Sequence, residues 1–227
     1  MATALTIALY IAAAIFAGRV ISRLVLLWRV SGTLKSLAPA PVKAGPAVFL
    51  KAAADVLLFG RLLRVNPRLW VGEFVFHLSL GLVLFEHLRY FISPVPLWFW
   101  RVQPVAAFAG YTLLGSIGYI LFVRLVLERD RPVFRQNIFL LALTFLTGTM
   151  GVLMLTVLRV DLVAVKAFVM GAMAVRPEAP PASAAFLAHL FFALTLLVYL
   201  PSHALTAPFV MVVARKREES LAMVMHE

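Results

Sequence analysis

The sequence predicts an all-α integral membrane bundle of five transmembrane helices, N-terminus outside and C-terminus cytoplasmic. Three observations predict it. Of 227 residues, 63% are hydrophobic and 14% charged, against roughly 45–50% and about 25% in soluble domains; mean hydropathy is +0.98. A water-soluble fold of this size cannot hide so much apolar surface. The apolar residues gather in five runs, each long enough for the roughly 20 helical residues that cross a hydrocarbon core of about 30 Å. Lys and Arg gather in alternate connections, as positive-inside topology requires. The runs are rich in Leu, Ala and Phe without strand alternation, which argues against a transmembrane barrel. Residues 1–227 read as a single membrane domain with no soluble domain, internal repeat or low-complexity tract.

The first run covers about 3–28. No Lys or Arg precedes it, and Arg19 and Arg23 lie at its far end, so it reads as an uncleaved helix entering from outside and not as a signal peptide. The connection 29–68 carries Pro39, Pro41 and Pro46, then an amphipathic stretch, Val48–Arg64, with Lys51, Asp55, Arg61 and Arg64. Two readings of that stretch stay open: a helix lying on the inner leaflet, or a docking surface for a cytoplasmic partner. The second run is about 69–92, the third about 105–127 and the fourth about 136–158. Residues 159–183 hold Val163–Val175, read as a short interfacial helix on the outer face, followed by Pro177, Pro180 and Pro181. The fifth run is about 184–213, bent by Pro201.

Sixteen of the 21 Lys and Arg fall on the side of the 29–68 connection, the 124–135 region and the C-terminal tail; five fall on the other side. The formal charge of +11 is therefore topological and does not signal nucleic acid. The chain has no cysteine. Disulfides, covalent c-type haem attachment and cysteine-ligated iron–sulfur clusters are excluded within it. A haem held by histidines is not.

Four of five histidines lie inside spans: His77 and His87 in the second, His189 and His203 in the fifth; His226 is in the tail. Ionisable side chains inside a bilayer are costly and mark function. His77 and His87 are ten residues apart, about 15 Å of rise and about 80° around the helix. His189 and His203 are fourteen apart, about 21 Å and about 40° short of four turns. With the two spans antiparallel, His77 and His203 lie toward the cytoplasm, and His87 and His189 toward the outside. Two cross-helix pairs at two depths suit two bis-histidine haems. Two axial imidazoles leave iron no open position, which favours electron transfer. Gly81 and Ala193, each four residues after a histidine, sit where a macrocycle needs room. Ordinary small-residue packing is the competing reading, and the one assigned to Gly110, Gly115, Gly118, Gly148 and Gly151.

The segment FHLSLGLVLFEHLRYFISP (76–94) resembles the second helix of the respiratory nitrate reductase gamma-subunit family, and HLFFALTLLVYLP (189–201) its fifth. The resemblance implies a di-haem b-type cytochrome (two haem b) moving electrons between a quinone pool, menaquinone or ubiquinone, and partner redox subunits. It assigns His77 and His203 to the inner haem, and His87 and His189 to the outer. One position departs: the family's last ligand falls eighteen residues after the first in the fifth helix, which here is Ala207. The HLRYF phrase with PVP (87–96) is closer to membrane cytochrome b subunits of the high-molecular-weight cytochrome c complex of sulphate-reducing bacteria. That implies an outer-face multihaem cytochrome c, a cytoplasmic iron–sulfur subunit and a bacterial inner membrane location.

Glu86 and Arg89 are spaced as an interfacial ion pair; the functional alternative makes Glu86 a proton acceptor for quinol near the outer haem. Arg101 and Gln103 enter the same region from the outer loop, and Phe85, Tyr90 and Phe91 supply apolar walls. Arg124 and Arg135, at the inner ends of spans three and four, either snorkel or pair with haem propionates. Trp98, Trp100 and Tyr111 read as an aromatic belt. The rival classes are a His-lined transporter and a cofactor-free membrane anchor.

Overall fold

The computed structural model describes residues 1–37, 46–128 and 135–202. His203, Ala207, Lys43, the 203–213 part of the expected fifth span and the tail lie outside them, as does the Arg135 side chain. Among the described residues the fold is entirely helical: α1 (Ala2–Leu37), α2 (Pro46–Leu57), α3 (Gly60–Val65), α4 (Pro67–His87), α5 (Leu97–Phe122), α6 (Arg135–Thr156), α7 (Leu162–Met173) and α8 (Ala184–Tyr199). Four stretches are long and apolar enough to cross a membrane: Ala2–Arg29, Pro67–Tyr90, Leu97–Leu127 and Asn137–Thr156. The expected fifth span is represented by the 16 residues of α8 and a 3-10 turn, Leu200–Ser202.

Local chemistry sets the starts. Asn66 caps α4, its side chain accepting from Leu69 N at 3.1 Å, and Pro67 follows at the first helical position, where its missing N–H costs nothing. Asn66 also donates to the Glu128 carboxylate, tying the start of α4 to the end of the α5 rod. Asp161 caps α7 through Val163 N at 2.8 Å and Ala164 N at 3.3 Å. Ser183 caps α8 through Phe186 N at 3.3 Å.

Two boundaries differ from expectation. The third span begins at Leu97, with Pro104 inside the helix. Pro104 lies on an exposed side, where losing one backbone hydrogen bond disturbs no neighbour. Trp98, Trp100, Arg101 and Gln103 therefore sit on the first turns of α5 and not in a loop. The amphipathic 48–64 stretch is also not one helix. It breaks at Phe59, a non-glycine residue at φ 51°, into α2 and α3. Asp55, buried near the break, accepts from Arg64 at 2.9 Å, and a Cβ on Gly60 would come within 3.0 Å of that carboxylate.

The packed pairs α4–α5, α5–α6, α6–α8 and α8–α1 trace an arc. Gly72 brings α4 against α5, since a Cβ there would meet Ile120 and Tyr119 at 2.8 Å. Beside it Leu69, Ile120 and Val123 form a buried cluster with Phe76 and Leu141. Gly148 lies against Leu114 and Gly110 against Val152. Gly115 and Gly118 do not serve that role: a Cβ on either meets nothing within 4 Å. Outward-facing residues such as Ile7, Ile11, Val105, Phe108 and Phe191 stay exposed, as an apolar solvent permits.

At one end, α7 folds over the starts of α1 and α8. Val165, Phe168 and Phe186 pack there with Leu5, Tyr90, Met154 and Leu190. The Tyr10 hydroxyl donates to the Ala172 carbonyl. At the opposite end, Trp70 Nε1 donates to the Leu58 carbonyl at 2.7 Å, holding the α2–α3 corner against α4.

Candidate functional site

His87 ends α4, and His189 lies in the second turn of α8. The antiparallel course of the two helices brings them together at the α7 end. Their ring centres are 6.1 Å apart, with planes within 16° of parallel. His87 Nδ1 donates to the Val83 carbonyl of its own helix at 2.7 Å. His189 Nδ1 donates to the Thr147 carbonyl of α6 at 2.9 Å. A carbonyl only accepts, so in the neutral ring each proton sits on Nδ1 and each Nε2 presents its lone pair, the usual state of a metal-ligating imidazole.

Gly151 makes room for this arrangement. A Cβ at that position would lie 3.4 Å from His189 Cε1, so the ring passes close over the α6 backbone. α4 and α8 are not among the extensively packed helix pairs. The two histidines therefore approach from helices that otherwise stand apart.

The residues fit a haem. Two imidazoles on one metal stand about 6 Å apart centre to centre, from two bonds of about 2 Å and two ring offsets of roughly 1.1 Å. Among the described residues no three of His, Asp, Glu or Cys come together as a metal cage. Haem iron asks the protein only for axial ligands, because the macrocycle fills the other positions. Gly81 leaves its surroundings open, with nothing within 4 Å of an added Cβ. Ala193 is half-buried on α8.

His77 lies ten residues before His87 on α4, with a side chain 44% exposed. Its Nδ1 donates to the Glu73 carbonyl at 2.7 Å, again leaving Nε2 free. The ring is flanked by Phe59, at 4.6 Å between centres, and Phe76, at 4.9 Å. Glu73 Oε2 is 3.9 Å from His77 Nδ1, while Glu73 Oε1 accepts from Arg124 at 2.8 Å. Arg124 is thus held beside His77 by a carboxylate, and its buried Nε has no hydrogen-bond partner.

Glu86 and Arg89 form an ion pair at 2.7 Å, with side chains 14% and 13% exposed. Arg89 also donates to the Tyr90 hydroxyl at 2.8 Å and lies over its ring. Glu86 Oε2 and Arg89 Nε are buried without partners. Beside the pair opens a cleft of about 350 Å³ lined by Arg89, Tyr90, Val95 and Trp100, and by Leu162, Lys166 and Met170 of α7. Arg101 and Gln103 do not line it. Of the expected apolar walls only Tyr90 lines it; Phe85 stacks on Phe99 at 5.0 Å and, like Phe91, is not a lining residue.

Sequence reasoning missed Glu73, Phe59, Thr147 and Lys166, and read Gly151 as a packing glycine, which it is, against His189. Glu73 had a readable signal: it is an acidic residue four before an intramembrane histidine. Gly60 marked the break that turns Phe59 toward His77. The Thr147 carbonyl carried no signal, and the partner of Gly151 could not be named, because both roles exist only once α6 meets α8.

Compared with known proteins, the chain is 25% identical over 152 residues to the Hdr-like menaquinol oxidoreductase cytochrome b-like subunit of Archaeoglobus profundus. The match covers 59% of this chain and 44% of that protein, so the chain spans less than half the relative's length. The relative's description is broader than the nitrate reductase gamma family that the histidine spacing suggested. No family model matches the chain, and no solved structure matches it.

Proposed function

We propose that the chain is the quinone-linked, di-haem b-type membrane subunit of a multisubunit respiratory electron-transfer complex. The observation that carries the reading is the His87–His189 pair, two imidazoles from separate helices with both Nδ1 protons committed and both Nε2 atoms free. The likeness to a menaquinol oxidoreductase subunit supports the same reading and favours menaquinone over ubiquinone. On this reading five spans cross the cytoplasmic membrane, the fifth continuing past Ser202, with the α7 end outside. His87 and His189 hold the outer haem, and His77 and His203 the inner.

Bound haem would supply one-electron transfer. The chain's residues do the rest. The Val83, Thr147 and Glu73 carbonyls fix the histidine tautomers. Gly81 and Ala193 would give the macrocycles room, and Arg124, held in place by Glu73, would pair with the inner haem's propionates, a role assigned from the sequence to Arg135 as well. The quinone headgroup sits in the cleft under α7, where Tyr90, Arg89 and Lys166 offer hydrogen-bond donors and Glu86 anchors Arg89. Arg101 and Gln103, on the first turns of α5, are not among the cleft's lining residues. A cytoplasmic iron–sulfur subunit docks on the α2–α3 face, and a multihaem cytochrome c or another redox subunit on the outer face; lipid surrounds the rest, and no nucleic acid is involved.

The test is haem stoichiometry. Purified protein should give two haem b per chain by pyridine haemochrome. His87→Ala or His189→Ala should remove the outer haem, and His77→Ala or His203→Ala the inner. A folded protein without haem overturns the reading in favour of a transporter or an anchor. For the quinone site, Lys166→Met should weaken binding of a hydroxyquinoline N-oxide inhibitor while leaving both haems in place; unchanged binding moves the site elsewhere.

A further inference from the structure

The far end of the bundle carries a second cleft, away from the His87–His189 pair. It measures about 600 Å³ and lies where α1 meets the turn after α8, lined by Ile15, Gly18, Arg19, Ser22 and Arg23 of α1 and by Pro201. The α1 positions fall three and four apart, so they form one stripe along one face. Arg19 is fixed there: it donates to the Val198 carbonyl at 2.8 Å, an acceptor at the C-terminal end of α8, and lies 6.0 Å from the Tyr199 ring centre. That bond occupies one of the five N–H donors of the guanidinium. Ser22 donates to the Gly18 carbonyl at 2.7 Å, and a Cβ on Gly18 would meet nothing within 4 Å.

Among the described residues the charge is one-sided. Neither α1 nor α8 contains an Asp or Glu. The described carboxylates of Asp55, Glu73 and Glu86 are paired with Arg64, Arg124 and Arg89. Two guanidiniums thus share a cleft neither of whose helical walls offers a counter-charge.

The depth is that of a headgroup. From Ala2, Arg19 and Arg23 stand about 26 and about 32 Å along the helix at 1.5 Å per residue, against a hydrocarbon thickness of about 30 Å. Ile15 lies one turn nearer the bilayer centre, and the α1 surface beyond it, including Ile11, is exposed and apolar. The cleft is basic at interface level and greasy below it, the polarity of a phospholipid. We propose that the α1–α8 cleft is a binding site for one anionic phospholipid, its phosphate held between Arg19 and Arg23 and an acyl chain lying over Ile15. Basic pockets between membrane helices bind anionic headgroups in this way.

The test uses the full-length protein purified in mild detergent and examined by native mass spectrometry with phosphatidylglycerol or phosphatidylcholine added. Wild type should retain one phosphatidylglycerol after mild activation and should not retain phosphatidylcholine. Arg23→Gln should lower that retention at least fivefold, and Arg23→Lys should restore part of it. Gly18→Leu fills the cleft without changing charge and should abolish retention; an unchanged absorption spectrum shows that each variant is folded. Equal retention by wild type, Arg23→Gln and Gly18→Leu overturns the proposal. So does thermal stabilisation by inorganic phosphate equal to that by phosphatidylglycerol, which would make the occupant a soluble anion.

Discussion

Gly151 shows how a residue with no chemistry of its own constrains the site. Its missing side chain lets the His189 ring lie against α6, where Nδ1 reaches the Thr147 carbonyl. A Cβ at 3.4 Å from the ring is tight but tolerable; an isobutyl group is not. On the proposed di-haem reading, Gly151→Ala should keep both haems. Gly151→Leu should lose most of the outer haem while the inner one remains, read from haem content and the split of the reduced α band. The histidines themselves were legible because a titratable group inside an apolar run has few bland explanations. What supports them was not. The hydrogen bonds of His77 and His87 run back four residues on their own helix, whereas that of His189 crosses 42 residues to another. No local pattern encodes that crossing.

α7 makes the same point for an element. The sequence marked Val163–Val175 as a short helix on a membrane face, and α7 runs Leu162–Met173. Its apolar face is spent on α1, α8 and Tyr90, and its Lys166 side lines the cleft. Hydropathy could find the helix but not the direction of its lysine. Asp161 fixes where it starts, through two backbone N–H groups. Asp161→Ala should cost about 1 kcal/mol, the usual price of a lost N-cap. The first turn of α7 carries Leu162 and Val163 of the cleft wall, so quinone-analogue binding should weaken several-fold, measured by fluorescence quenching, with haem content unchanged. The α2–α3 stretch was read as one amphipathic helix because its periodicity runs through the break; the left-handed Phe59 interrupts the chain without interrupting the pattern.

For the whole molecule, composition was enough to fix an all-helical, membrane-embedded architecture, since apolar runs of this length admit few alternatives. The arc of packed helices was not legible, because lipid and protein neighbours are equally apolar and hydropathy cannot tell them apart. Orientation rests on the distribution of Lys and Arg. The chain has no cysteine, so single cysteines report it cleanly. Glu178→Cys, beyond α7, should react with a membrane-impermeant maleimide on intact spheroplasts. Lys51→Cys, on α2, should react only after permeabilisation. The opposite pattern inverts the topology.

α4, which begins the arc, meets α8 only lightly. α4 is packed on α5, and α8 on α6 and α1, yet α4 and α8 are not among the closely packed pairs. The ring pair His87–His189 is where they come within reach. On the proposed reading, a metal bonded to both imidazoles would act as a clasp, turning an open bracelet of helices into a closed one. Occupancy and folding are then thermodynamically linked, because a ligand that binds only the native state stabilises it by mass action. Protein made in a haem-deficient host should melt at a lower temperature than the haem-loaded form and be cut sooner by protease in the 158–183 connection. Equal melting would mean that the clasp carries no load. The same two side chains that would pass an electron would then also decide whether the bracelet stays shut.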